Sequence, residues 1–146
     1  MAISDTREVV IEATPEEILD VIADVTNAHT WSPQYESAEI VDTYDDGRPK
    51  TVKMRVKAAG LTDEQVVEYS WSANTAGWTL LKAGQLRSQQ ATYTLTPEGA
   101  KTKVRFEITV DPSVPLPGFI LKRAMKGAME TATDGLRKQV LKVKKA

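Results

Sequence analysis

The sequence contains no cysteine and a single histidine, His29, among its 146 residues. Disulfide bonds and thiolate chemistry are therefore excluded, and His29 has no second histidine with which to bind a metal. No apolar run approaches the ~20 residues of a membrane-spanning helix. Residues 1–8 are polar and charged where a signal peptide would have an apolar core. We therefore expect a cytoplasmic protein without a metal, another cofactor or an integral membrane segment.

The overall composition is that of a globular protein, with 41% hydrophobic and 27% charged residues. Its length predicts one domain over residues 1–146. The net charge of −1 is unevenly spread, because residues 121–146 contain eight basic and two acidic side chains. We interpret this excess as a solvated helix face whose last lysines complement the helix dipole. A patch for anionic membranes or nucleic acid is the alternative, but no aromatic residues are interleaved for base stacking.

The first fifty residues predict a strand over residues 6–12 and then a helix that begins at Pro15. Thr14 and Glu17 form a Thr-x-x-Glu capping box, and proline suits the first helical position. A second short helical turn is expected before Pro33, which stops further helix.

From Gln34 onward, apolar and polar residues alternate with a period of two, which indicates half-buried strands. The predicted strands cover residues 35–42, 51–58, 65–72, 78–82, 86–96 and 102–110. Turns are expected at residues 45–47, 61–63, 74–77, 84 and 97–100. Strands joined by such short turns pair in antiparallel fashion.

The last segment, residues 117–146, has the pattern of one long amphipathic helix. It follows a proline-rich connector, residues 111–118, which is either a stiff link or a lid. The apolar face of the helix consists mostly of alanine and methionine, so a helix lying on a curved sheet would leave space beneath it. Its members are Leu121, Met125, Ala128, Met129, Ala132, Leu136, Val140 and Val143, the last three being expected to anchor the helix to the sheet.

Three stretches give the chain a resemblance to a known family. Residues 11–18 (IEATPEEI) resemble the opening strand and proline-led helix of the START-like, or SRPBCC, superfamily. Trp31-Ser32-Pro33 resembles its Trp-x-Pro motif, and residues 93–99 (YTLTPEG) followed by 102–104 resemble its late hairpin. Within this superfamily, the chain is most similar to the polyketide cyclase/dehydrase and lipid-transport family.

The resemblance implies an α+β helix-grip fold. In this fold a curved antiparallel sheet of about seven strands wraps on the long C-terminal helix, and one or two short helices follow the first strand. Relatives bind lipids, sterols or polyketides between sheet and helix, and some are aromatase/cyclases. Because this fold occurs with several functions, the fold alone does not determine the function of this chain.

The residues in the inward phase of the strands and at the helix face are the candidates for a cavity wall. On the strand over 86–96, the period places Gln89 and Arg87 inward with Tyr93, unless a bulge turns Arg87 outward. Aromatic residues of the inward phase are either core or cavity wall. The candidate ligand-binding residues are Met54, Val56, Tyr69, Trp71, Arg87, Gln89, Tyr93, Phe106, Ile108, Phe119, Met125 and Met129.

We predict that the protein binds or transports a small hydrophobic ligand, such as a lipid, fatty acid or polyketide-like molecule. The alternative is a polyketide cyclase or dehydratase in which Arg87, Gln89, Tyr69 or Tyr93 polarises a carbonyl or moves a proton. A third hypothesis is a collapsed cavity in a protein that regulates partners. Catalytic residues are not assigned. No nucleic-acid partner is expected, and transient membrane contact and a monomer or homodimer remain open.

Overall fold

The computed structural model describes residues 2–58 and 60–145, and its framework is one seven-stranded sheet. Every neighbouring pair of strands is antiparallel, in the order β1-β7-β6-β5-β4-β3-β2. This sheet and the long C-terminal helix confirm the predicted α+β helix-grip fold. The strands are β1 (Ile3–Ile11), β2 (Tyr35–Thr43), β3 (Pro49–Ala58), β4 (Leu61–Trp71), β5 (Thr75–Ala83), β6 (Leu86–Glu98) and β7 (Lys101–Pro112).

Helix α1 (Pro15–Ala23) begins with the predicted capping box. The Glu17 backbone N–H donates to Thr14 Oγ1, and the Thr14 N–H donates to the Glu17 carboxylate at 2.9 Å. These bonds satisfy N–H groups that lack partners at a helix start. A 3₁₀ helix (Val25–Thr30) follows as the predicted second helical turn.

The C-terminal helix consists of α2 (Gly118–Glu130), a π-helical turn (Thr131–Gly135) and α3 (Leu136–Lys145). The predicted end at Ala146 lies outside the described residues. Leu136 and Val140 are almost fully buried, as expected of anchors. The same prediction for Val143 is wrong, because this side chain is 51% exposed near the end of the helix, beyond the buried positions.

Two predicted turns belong to strands instead. Residues 61–63 begin β4, and residues 75–77 begin β5. Asp63 explains the first error, since its carboxylate accepts the backbone N–H groups of Gly84 and Gln85 in the adjacent turn. The turn itself lies before Leu61 and includes Gly60, whose φ of +77° favours glycine.

The core is packed densely at the end of the sheet where α1 contacts α3. Ile11, Ile18, Leu95, Leu136 and Val140 are each at most 1% exposed there. Arg137 fixes the C-terminal helix to this end by a bidentate ion pair with Glu12, which follows β1. No helix in residues 2–58 and 60–145 is long and apolar enough to cross a membrane.

Candidate functional site

A cavity of about 210 Å³ lies between the sheet and the first half of the C-terminal helix. A single buried water needs only ~10–15 Å³ by this measure, so the space is large enough for an organic molecule. The sheet contributes mainly apolar side chains to the wall, among them Met54, Val56, Trp78, Tyr93, Phe106, Ile108 and Val110. The helix contributes Leu121, Ala124, Met125, Ala128, Thr131 and Ala132.

The small residues of α2 and the π-helical turn explain why space remains under the helix. Ala124, Ala128 and Ala132 face the cavity with single methyl groups, which fill little volume. In the π-helical turn the backbone is wider than in an α-helix, and such turns are frequent at functional sites. The carbonyl oxygen of Ala132 accepts a hydrogen bond from the Tyr93 hydroxyl, which ties the turn to the centre of the sheet.

One end of the cavity is bordered by the loops opposite the packed core. Its wall there comes from the start of β1, the ends of β3 and β7, and the starts of β4 and β6. The proline-rich connector adds apolar side chains to the same end. The residues of this mouth are Ile3, Ala58, Leu61, Leu86, Pro112, Val114 and Leu116.

Seven of the twelve predicted site residues line the cavity. Four of them, Met54, Tyr93, Phe106 and Ile108, are buried parts of the sheet. Their positions follow from the strand period that was used to select them. The seven are Met54, Val56, Gln89, Tyr93, Phe106, Ile108 and Met125.

Arg87 lies outside the cavity, so the expectation that it faces inward is wrong. The β6–β7 register shifts between Leu86 and Ser88, which is the bulge weighed as the alternative. The shift turns Leu86 toward the cavity and leaves Arg87 exposed to solvent. Gln89 lies after the bulge and keeps the inward phase.

Phe119 and Met129 also lie outside the cavity wall, for opposite reasons. Phe119 is 67% exposed on the outer face of α2, whereas Met129 is 2% exposed within the core. On a helix, residues three and four apart share a face, so Ala124, Ala128 and Thr131 take the cavity-facing positions.

Tyr69 and Trp71 extend away from the main cavity. Their rings stack with centroids 5.4 Å apart, and Trp71 Nε1 donates to the Pro49 carbonyl oxygen. Tyr69 borders a separate void of about 40 Å³, whose wall shares Trp78 and Tyr93 with the main cavity. Tyr69 is therefore adjacent to the site, and Trp71 belongs to the packing of the sheet.

The polar groups in the wall are mainly neutral amides and hydroxyls. Gln89 Oε1 accepts a 3.2 Å hydrogen bond from Trp78 Nε1, which leaves the Gln89 amide nitrogen as a donor. Gln65 is 6% exposed and donates through Nε2 to Asp63, which leaves its Oε1 as an acceptor. Gln34 accepts from the Ser32 hydroxyl. The cavity thus offers both donors and acceptors in an apolar surrounding, as small-molecule sites do.

Asp63 contributes a carboxylate at the cavity mouth, but both of its oxygens already accept hydrogen bonds. Oδ1 accepts the Gly84 N–H at 2.9 Å, and Oδ2 accepts the Gln85 N–H at 3.0 Å. These bonds hold the turn between β5 and β6. The geometry therefore supports a structural role for Asp63, which stabilises this turn.

Three tyrosines in and beside the cavity remain neutral at physiological pH. Burial raises the pKa of the Tyr35 hydroxyl to about 12. Burial also raises the pKa of Tyr93 and of Tyr69, and a charge on Tyr35 would raise both further. Each phenol is consequently a hydrogen-bonding group, and its phenolate is disfavoured.

Several wall residues were missed from the sequence, although one had a usable signal. Gln65 shares the period-two phase of Val67 and Tyr69, as Gln89 does with Ala91 on β6. Trp31, Gln34 and Tyr35 follow the 3₁₀ helix, where no period predicts direction. His29 is exposed on that 3₁₀ helix. Within the described ranges, no three histidine, aspartate or glutamate residues cluster as metal ligands.

The family model described as "Polyketide cyclase / dehydrase and lipid transport" matches residues 2–141. No curated protein is similar enough in sequence to count as a match.

Solved structures show the same fold at low sequence identity. A START superfamily protein from Mycobacterium smegmatis is 20% identical, with a TM-score of 0.85 over 96% of this chain and 98% of its own. A protein from Thermus thermophilus is 22% identical, with a TM-score of 0.80 over 97% of this chain and 99% of its own. The Zhui aromatase/cyclase from a Streptomyces species is 12% identical, with a TM-score of 0.76 over 96% of this chain and 94% of its own.

Proposed function

Because the chain belongs to the polyketide cyclase/dehydrase and lipid transport family, we propose that its cavity binds a small hydrophobic molecule and carries it in the cell. The observation that carries this proposal is the apolar cavity of about 210 Å³ under the alanine face of α2. Burial of apolar surface stabilises a complex by roughly 25 cal/mol per Å². A largely apolar wall therefore favours a largely apolar ligand.

The polar groups of the wall refine the chemistry of the ligand. Gln65 and Gln89 offer an acceptor and a donor, and Tyr35 adds a hydroxyl that stays protonated. These groups suit carbonyls and hydroxyls. An ionised carboxylate would incur a large desolvation cost on an apolar wall whose one described charge is the Asp63 anion. We propose a neutral ligand with one or a few oxygen atoms, in preference to an ionised fatty acid.

The test is uptake of Nile red, a neutral apolar dye that brightens in apolar surroundings. Ala128→Phe should fill the cavity and abolish the fluorescence increase, because Ala128 lines the helix side of the space. Ala100→Phe adds the same ring at an exposed turn and should bind dye like the wild type. Circular dichroism should show that both variants are folded. Equal dye binding by all three proteins would overturn the proposal.

The second candidate is a cyclase or dehydratase acting on a polyketide-like chain, which the family description also covers. In that case the cavity would hold the chain in a reactive conformation. Tyr35 and Gln89 line the cavity and would hydrogen bond to its carbonyls, whereas Arg87 is exposed. Turnover of a poly-β-keto thioester that is lost in both Tyr35→Phe and Gln89→Leu, but retained in Arg87→Ala, would favour this enzyme over a carrier.

A further inference from the structure

The basic residues of the C-terminal helix divide into two groups in the structure. In α3, Arg137 pairs with Glu12 at 2.9 Å, and Lys144 pairs with Glu17 at 3.7 Å. Lys144 also donates to the Glu12 carbonyl oxygen. These two cations hold the helix to α1 and to the end of β1, so structure accounts for their presence. The other basic residues of α3, Lys138, Lys142 and Lys145, are exposed and have no ion pair in the described ranges. Lys142 and Lys145 lie in the last turn, where the helix dipole favours cations.

The basic residues of α2 form the second group. Lys122, Arg123 and Lys126 are exposed, and none is ion-paired with any residue in the described ranges. Together with Phe119 they occupy positions i, i+3, i+4 and i+7, which share one side of a helix. We call these four residues the docking face.

Helix stability does not explain this charge pattern. The positive end of the helix dipole lies at the N-terminus, so cations in the first turns are unfavourable there. The first turn of α2 has no acidic residue, and Pro117 provides no side-chain cap. Phe119, at 67% exposed, is the most exposed large hydrophobic residue in the described chain. The cations therefore do not stabilise this end of the helix, and the ring has no packing contact among the described residues that accounts for it.

The docking face lies directly outside the cavity mouth. Leu121, Ala124 and Met125 project from the same turns of α2 into the cavity. The preceding connector contributes Val114 and Leu116 to the cavity wall. Farther along the helix, the exposed Glu130 and Asp134 separate these cations from the basic residues of α3. Within the described part of the helix, exposed cations stand beside an exposed aromatic ring only at the end next to the mouth.

We propose that the docking face binds the surface of an anionic lipid bilayer. The Phe119 ring would enter the boundary between headgroups and acyl chains, while the three cations contact lipid phosphates. A bilayer needs no shape complementarity, whereas a stable protein partner buries ~800 Å² on each side. One ring and three cations on a helix end are enough to contact a bilayer, but they are too few to form a stable protein interface. Docking in this orientation brings the cavity mouth to the lipid.

Co-sedimentation with vesicles tests the proposal. The wild-type chain should bind vesicles of equal parts phosphatidylcholine and phosphatidylglycerol at low salt, and bind pure phosphatidylcholine far more weakly. The triple variant K122Q/R123Q/K126Q should lose roughly a hundredfold in partitioning, at about fivefold per cation. Phe119→Ser should lose about tenfold, since an inserted ring is no longer buried. High salt should weaken wild-type binding.

The other end of the same helix provides matched controls. K138Q/K142Q/K145Q removes the same charge, and Val143→Ser removes a side chain that is 51% exposed. Both should sediment like the wild type.

Equal binding to the two vesicle types, or equal losses at both helix ends, would overturn the proposal. Wild-type protein that binds neither vesicle type would also contradict membrane docking. Nile red uptake by the Phe119 variant should be unchanged, which separates docking from cavity binding.

Discussion

The hydroxyl of Tyr93 donates a 3.1 Å hydrogen bond to the carbonyl oxygen of Ala132, which lies in the π-helical turn. The bond links the centre of the sheet to the point where the C-terminal helix widens over the cavity. Both residues are buried. The phenol that the enzyme hypothesis offered as a proton donor is therefore already used to hold the helix.

Tyr93→Phe should lower the free energy of unfolding by about 1–3 kcal/mol. The substitution keeps the ring but leaves the Ala132 carbonyl without its buried partner. Urea unfolding followed by circular dichroism measures the change. Tyr35→Phe is the matched control, because no hydrogen bond to its hydroxyl exists in the described part of the chain. Equal stability of the two variants would show that the Tyr93 bond does not support the helix.

Acid should destabilise the protein through Glu12. The Arg137 guanidinium hydrogen bonds lower the pKa of this carboxyl below its usual 4.5. A lowered folded-state pKa means that the ion pair stabilises the protein above the unfolded pKa. This contribution is lost as pH falls through the folded pKa.

Glu12→Gln should therefore melt at a lower temperature than the wild type at neutral pH, and the two melting temperatures should converge as pH falls below 4.5 and through the lowered pKa of Glu12. Scanning calorimetry across this range measures the effect. Glu98→Gln, at an exposed strand end without an ion pair in the described chain, should follow the wild type throughout. A constant difference between Glu12→Gln and wild type at every pH would contradict the linkage.

The cavity should prefer neutral amphiphiles to anionic ones of the same length. At about pH 8, dodecanol and methyl dodecanoate should displace Nile red at least ~10-fold more effectively than dodecanoate, because the carboxylate must be desolvated. Gln65→Leu should weaken dodecanol binding, since it removes the free acceptor Oε1 in the wall. Arg87→Ala should change neither the affinity for dodecanol nor the affinity for dodecanoate. Stronger binding of dodecanoate would refute the preference.

Gly77→Ala should be destabilising, although glycine is a poor strand former. A Cβ at this position would come within 2.9 Å of the Ala91 carbonyl oxygen on β6, so the backbone must shift. We expect a loss of about 1–3 kcal/mol. Gly118→Ala is the control, because nothing lies within 4 Å of its added Cβ. Thermal unfolding should place the control at or slightly above the wild type, and a reversed order would contradict the clash.

The fold follows from patterns that depend on neighbouring residues in the chain. The capping box of Thr14 and Glu17 and the alternation in β7 are decided locally, and both could be predicted from the sequence. The wall of the cavity depends on single-residue events in pairing. One bulge at Arg87 exchanged the roles of Arg87 and Leu86, and no local pattern distinguishes a bulge from a regular strand.

Sequence patterns also fail to predict the direction of side chains in segments that have no hydrophobic period. Trp31 and Tyr35 enter the cavity wall because the chain leaves the 3₁₀ helix in a direction set by tertiary packing. The π-helical turn similarly changes the helix phase after Thr131. Ala128 and Met129 precede this turn and point about 100° apart on the helix, and the sequence does not show which of the two directions faces the cavity. Such distinctions require the three-dimensional arrangement.

The strand order has a consequence for how the chain folds. Strands β2 to β7 each pair with the next strand in sequence, so this part can form as successive hairpins. Strand β1 instead pairs with β7, the last strand in sequence, with Ile3 opposite Val110. Closing so long a loop is entropically costly and slow. We therefore expect β1 to join the sheet last, and the sheet side of the cavity wall to be complete only when β1 pairs with β7.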